Sequence, residues 1–107
     1  MAATAIVNTV LARNEAKDYT APAAIDGTDG CEITLAADHK TLIILEATAA
    51  TTATVKAGDA LQGVGDLAVA FDAAGAKCLC LESGRFSKGG KVTITGASLK
   101  AACVVLP

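Results

Sequence analysis

Four cysteines are the residues of this 107-residue chain best suited to chemistry: Cys31, Cys78, Cys80 and Cys103. Zinc-binding cysteines are usually separated by two to four residues in a turn, whereas a single residue separates Cys78 and Cys80 in a predicted strand. Alternate side chains of a strand lie about 7 Å apart on the same face, too far apart for two ligands of one zinc ion. Small apolar core thiols are therefore favoured over a four-cysteine zinc site or a disulfide.

His39 is the single histidine, and Asp38 stands beside it. A histidine that acts as a general base must reach a nucleophile, and no serine or cysteine motif supplies one here. Adjacent residues of a strand also face in opposite directions. A solvated turn residue is favoured over a catalytic histidine, and we expect the protein not to be an enzyme.

Two glycine-bearing segments resemble ligand-binding loops. Gly58–Asp66 contains Gly63-Val64-Gly65, but a dinucleotide fingerprint needs a third glycine and a helix N-terminus, and a strand pattern follows here. Asp26–Gly30 is weakly similar to a calcium loop but lacks the spacing and the distal glutamate of an EF-hand. A shaped β-connection and Asx turns are predicted instead. We expect neither a metal nor a cofactor.

The elements that must position these residues are short runs rich in Thr, Val and Ile between turn residues, a pattern typical of strands. Ile6–Leu11 fits either a strand or one helix face, and a strand is favoured. Tyr19–Gly30 is predicted to be a loop. The fold class expected for residues 1–107 is all-β, a single compact antiparallel β-sandwich or small barrel-like domain. The other predicted strands are Cys31–Leu35, Thr41–Ala47, Thr52–Ala57, Leu67–Phe71, Lys77–Glu82, Lys91–Thr95 and Ala101–Leu106.

The composition of the chain argues against several classes of binding partner. The net charge of −2 argues against nucleic acid, which is bound through basic patches. Aromatic residues make up only 3% of the chain, so stacking surfaces for bases or sugars are nearly absent. No apolar run is long enough to span a membrane. The N-terminus has no pattern of a signal peptide, so we expect reduced thiols and no membrane partner.

Several predicted strands are apolar on both faces. Leu42 and Ile44 alternate with Ile43 and Leu45. A sandwich that stands alone buries one face of each sheet and leaves the other in water. A second apolar face therefore predicts a further contact surface, supplied by another subunit or by a capsid shell. We expect a homo-oligomer.

Glycine- and aspartate-bearing turns beside short strands recur along the chain, at Pro22–Gly30, Val55–Asp59, Gln62–Leu67, Leu81–Phe86, Val92–Gly96 and Val104–Pro107. In this pattern the chain resembles small β-sandwich structural proteins of tailed-phage and prophage virions. The resemblance implies a virion protein assembled in the bacterial cytoplasm, most specifically a capsid decoration protein that binds the head exterior. Its partners would be the major capsid protein or other virion proteins. The alternatives are a head–tail or tail component, and a non-phage β-sandwich binding or adhesion module.

The predicted interface residues lie in two connections of the chain. Arg85 and Phe86 are the preferred anchors, because arginine and aromatic residues are enriched among interface hot spots. Glu82 and Gln62 are the other two predicted interface residues. The competing interpretation of Arg85 is a surface ion pair with Glu82.

Overall fold

The computed structural model describes residues 3–36, 40–57, 65–81, 86 and 90–107. As predicted, the fold is all-β, and its two packed sheets form a small β-sandwich. The strands are β1 Thr4–Ala5, β2 Asn8–Val10, β3 Ala23–Ala24, β4 Cys31–Thr34, β5 Thr41–Ala47, β6 Thr51–Val55, β7 Leu67–Phe71, β8 Gly75–Leu79, β9 Lys91–Thr95 and β10 Leu99–Val105.

Sheet A has the strand order β1-β4-β9-β6-β7, and sheet B has the order β2-β10-β5-β8, with β3 also pairing with β10. The central pairs are antiparallel, but β1 runs parallel to β4 and β2 runs parallel to β10. The predicted fold class is confirmed, but the antiparallel arrangement does not extend to the two edges formed by the N-terminal segment, where the pairing is parallel. The sheets are mixed because this segment pairs with strands that run in its own direction.

The core lies between the two sheets and is built by strand alternation. Strand β5 alternates strictly, and Ile43 and Leu45 are completely buried. On the opposite sheet, Val92 and Ile94 of β9 are equally buried. The remaining members of the core are Cys31, Ile33, Ala47, Ala53, Val55, Val69, Phe71, Leu81, Phe86, Leu99, Ala101 and Cys103.

The N-terminal segment connects the two sheets. After β1 the Ile6 N–H donates to the Glu32 carbonyl at 3.0 Å in sheet A, and after β2 the Leu11 N–H donates to the Val105 carbonyl at 2.8 Å in sheet B. These N–H groups donate hydrogen bonds to other strands. In a helix they would instead donate to carbonyl groups four residues earlier in the same segment. The strand interpretation of this segment is confirmed, and the helical alternative is wrong.

Two sequence predictions need correction. The segment Tyr19–Gly30 is not wholly a loop, because β3 pairs with Lys100 and Ala101 of β10. The strand expected at Lys77–Glu82 lies earlier, at Gly75–Leu79, because its pairing with β5 runs from Ala47 to Ile43 and ends there. The other strand boundaries differ from the predicted ones by at most two residues.

Candidate functional site

The side chains of sheet B that point away from the core form a mostly apolar surface on β10, β5 and β8. We call it the outer face of sheet B. The strand register arranges it in rows: Val104 beside Leu42, then Ala102, Ile44 and Cys78, then Lys100, Glu46 and Ala76. Leu42, Ile44 and Val104 are partly exposed, and Cys78 and Ala76 are exposed. Ala102, in the second row, is buried, with 2% exposure. The face is thus apolar in its first two rows and carries one cation and one anion in the third.

The outer face of sheet A has the opposite character. Its outward side chains on β6 and β9 include Thr52, Thr54, Thr93 and Thr95. An ion pair also crosses it, with Lys91 Nζ 3.9 Å from a Glu32 carboxylate oxygen. Threonine and paired charges are the ordinary composition of a solvated sheet face. The contrast singles out sheet B as the surface that is poorly suited to water.

One border of the outer face of sheet B is formed by the chain itself. The register pairs Thr9 of β2 with Val104, which places Thr9 on the outer side. Its side chain is nonetheless buried, with 5% exposure, and its Oγ accepts a hydrogen bond from the Thr20 N–H at 3.0 Å. The segment before β3 therefore lies along the β2 side of this face, where neighbouring Tyr19 is 52% exposed.

The cysteines divide into two pairs. Cys31 and Cys103 are buried, as expected of core thiols, but Cys78 and Cys80 are exposed. The expectation of core thiols is wrong for the second pair because it lies on the outer side of β8 and just beyond its end, where nothing in the described part of the chain covers it. Within the described ranges, no group of three or more metal-ligating side chains comes together.

We expect alkylation of the folded protein to modify Cys78 and Cys80 quickly, and Cys31 and Cys103 only after unfolding. Burial raises the pKa of the Cys31 thiol to about 11, while a backbone hydrogen bond at Ile94 acts in the other direction. At neutral pH Cys31 is therefore both inaccessible and protonated, and the thiolate is the reactive form. Intact mass spectrometry would show two rapid labels, and four in denaturant without a reductant. Fewer than four labels in denaturant would reveal a disulfide.

Of the four predicted interface residues, the structure describes only Phe86. Gln62, Glu82 and Arg85 lie outside the described residues, and their interface role stays a prediction. Phe86 is 8% exposed and belongs to the core, so its ring offers little surface to a partner. It also lines a cavity of about 310 Å³, together with Lys56, Ala57, Asp66 and Thr93.

Asp66 ties together the two ends of the connection that contains Gln62. One carboxylate oxygen accepts the Ala57 N–H at 2.6 Å, and the other lies 3.4 Å from Lys56 Nζ. The backbone hydrogen bond from Ala57, more than the nearby Lys56 charge, lowers the pKa of the Asp66 carboxyl. Phe86 lines the same cavity as Ala57 and Asp66. Ala57 and Asp66 flank the connection that contains Gln62, and Phe86 belongs to the connection that contains Arg85. The two ends of the first connection therefore lie close to Phe86 of the second.

The other candidate ligand sites are turns and connections. Asp26 Oδ1 accepts the Thr28 N–H at 2.9 Å, which is the Asx turn that the sequence predicts. The glycine-bearing segment ending at Asp66 leads directly into strand β7, as expected of a β-connection, so no phosphate-binding helix N-terminus follows it. Asp38 and His39 lie outside the described residues.

Sequence reasoning found half of the outer face of sheet B. It identified Leu42 and Ile44 on the second side of β5, but it did not identify Ala102, Val104 or the charged pair beside them. The available signal was that the predicted strand Ala101–Leu106, like Thr41–Ala47, is apolar on both sides. Among the described residues, no helix has both the length and the apolarity that crossing a membrane requires. Comparison with protein-family models, with curated proteins and with solved structures finds no match for this chain.

Proposed function

We propose that this protein is a structural component of a phage virion, most specifically a capsid decoration protein, that acts by binding protein surfaces rather than by catalysis. The observation that carries the binding role is the outer face of sheet B. The virion setting rests on the resemblance of the turns and strands to small β-sandwich virion proteins.

The energetic argument starts from the cost of apolar surface in water. Each exposed apolar Å² costs about 25 cal/mol relative to its burial, and contiguous exposed apolar patches on a protein commonly mark a contact site. Leu42, Ile44 and Val104 are contiguous in the register and partly exposed. A solvated sandwich would place polar side chains there, as sheet A does. The face is therefore suited to contact with another protein.

A second region is available for contact with a capsid. Asp66 fastens the connection that holds Gln62, and Phe86 follows Arg85 in the chain and lines the same cavity as Asp66. We propose that these two connections present the capsid-binding residues Gln62, Glu82 and Arg85. The partner would then be the major capsid protein or a neighbouring virion protein, and the location would be the virion.

Counting copies in purified particles tests the proposal. We expect particles of the phage or induced prophage that encodes this chain to contain it in numbers comparable with the major capsid protein, measured by quantitative mass spectrometry. A small ring-like number would indicate a head–tail or tail component instead. Absence from the particle would contradict the virion role and leave a non-phage binding module.

The functional readout is particle stability. A decoration protein binds the assembled shell and therefore stabilises it by mass action. We expect particles lacking the protein to release DNA at a lower temperature, and added recombinant protein to restore the loss. Arg85→Ala is the suitable interface variant, since Phe86→Ala would also remove a core side chain. An unchanged release temperature without the protein would contradict a stabilising role.

A further inference from the structure

We propose that the outer face of sheet B binds the same face of a second copy of this chain, around a two-fold axis that runs along the strands between β5 and β10. The inference deepens the proposed function, because it names the occupant of the face, and it rests on that function only in taking the face as a protein-binding surface. The capsid contact is then left to the connections at Gln62, Glu82 and Arg85.

For a two-fold axis along the strands, the register determines which residues of the two copies meet. A rotation about an axis along the strands keeps each row at its own height and exchanges β5 with β10. Ile44 of one copy then lies over the partner's Ala102, and Leu42 lies over the partner's Val104, because each pair is side by side within one chain. Ala102 is only 2% exposed, so in this row the two Ile44 side chains supply the contact surface. Two sheets packed in this way lie about 10 Å apart and within about 30° of alignment.

The charges on the face are complementary under the same operation. Glu46 and Lys100 are register partners in the third row, so Glu46 of each copy lies over the partner's Lys100. The ion pairs among the described residues are Lys56–Asp66 and Lys91–Glu32, and neither of them includes Glu46 or Lys100. Two unused opposite charges at the edge of an apolar patch match the polar rim and apolar centre of a protein interface.

The β2 and β8 borders of the outer face of sheet B are also complementary under this rotation. The segment that carries Thr20 rises beside β2 at one side, next to Thr9. The same rotation places this segment over β8 of the second copy, where the outward side chains, Ala76 and Cys78, are small and exposed. A raised border therefore meets a low one, which allows the two faces to approach.

Sedimentation of the isolated recombinant chain is the primary test. We expect a dimer at a protein concentration of about 100 μM, consistent with a dissociation constant in the micromolar range. Ile44→Lys should weaken the dimer by about tenfold or more, because it buries an unpaired cation at the centre of the interface. Thr54→Lys makes a cation at the same depth on the outer face of sheet A and should leave the dimer unchanged.

A charge-exchange experiment separates contacts between chains from contacts within one chain. The Glu46→Lys variant carries two cations on the face, and the Lys100→Glu variant carries two anions, so each should dimerise at least about tenfold more weakly than the wild type. An equimolar mixture of the two should recover dimers, because every cation then lies over an anion of the other chain. A loss of dimers that arose from a changed contact within one chain would not be reversed by mixing.

Several results would overturn the inference. A wild-type chain that stays monomeric at the concentration tested contradicts it, whatever the particle experiments show. Particle binding by a monomeric wild type, lost in Ile44→Lys, would assign the face to a capsid protein instead. A dimer that is insensitive to Ile44→Lys, or single charge variants that are not rescued by mixing, would place self-association elsewhere. Conversely, dimerisation would stand even if the chain were absent from every particle, so the two proposals fail separately.

Discussion

Ile43→Ala is expected to lower the free energy of unfolding by about 2–5 kcal/mol, whereas Ile44→Ala should cost about 1 kcal/mol in the monomer. The two residues are adjacent, identical in type and central in the same strand. Ile43 is completely buried between the sheets, while Ile44 is partly exposed on the outer face of sheet B. The first substitution leaves a cavity in the core, and the second removes only surface packing.

Urea unfolding followed by circular dichroism measures both effects. The comparison belongs at a low protein concentration, where a dimer has dissociated, because binding between native chains adds to the apparent stability. At higher concentration the cost of Ile44→Ala should grow, while the difference between Ile43→Ala and wild type should stay nearly constant. Equal costs at low concentration would contradict the assignment of inner and outer faces on β5.

The pair also shows where sequence reasoning stops. The run Thr41–Ala47 predicted the strand with its observed bounds, because it is short and apolar on both sides and contains the β-branched residues Thr41, Ile43 and Ile44. It did not say which side of the strand faces the core, since both sides are apolar. The strict alternation of burial along β5 supplies that answer. The surplus apolar side is then the candidate contact surface.

Features that depend on long-range pairing were not predictable from local pattern. Ala23–Ala24 carries no strand signal, and it becomes β3 only because Lys100 and Ala101 of β10 lie beside it. The parallel edges have the same origin. β1 and β2 are short, and the strands that accept their hydrogen bonds, β4 and β10, lie far along the chain. Sequence pattern gives the strand but not its neighbour.

The exposure of Cys78 and Cys80 has a related cause. The sequence correctly placed them on one side of the chain and Leu79 and Leu81 on the other, and Leu81 is buried. Burial of the thiols depended on a strand or loop covering that side. β8 pairs only with β5 among the described strands, and its outer side is left to the solvent. The placement of Glu46 beside Lys100 was not predictable either. It depends on the register between β5 and β10, which no local motif encodes.

The turn before β4 offers the second large effect. Gly30 has a φ of +73°, in the left-handed region that side chains disfavour, and its N–H donates to the Asp26 carbonyl at 2.9 Å. A Cβ added there would collide with the Ile94 carbonyl oxygen and lie 2.8 Å from the Thr95 methyl. Since these are neighbouring groups of β9, the backbone of β4 would have to move away from its partner strand.

We therefore expect Gly30→Ala to destabilise the protein by more than about 2 kcal/mol, combining left-handed strain with the displacement of β4 from β9. β1 would be affected as well, because the Thr4 N–H donates to the Gly30 carbonyl at 2.9 Å. Gly27→Ala is the matched control in the same turn. A Cβ at Gly27 meets nothing within 4 Å, so this change should be neutral or stabilise by about 0.4–1 kcal/mol through the unfolded chain. Thermal unfolding of the two variants should separate them clearly, and equal midpoints would mean that close contact between this turn and β9 does not hold the edge of sheet A.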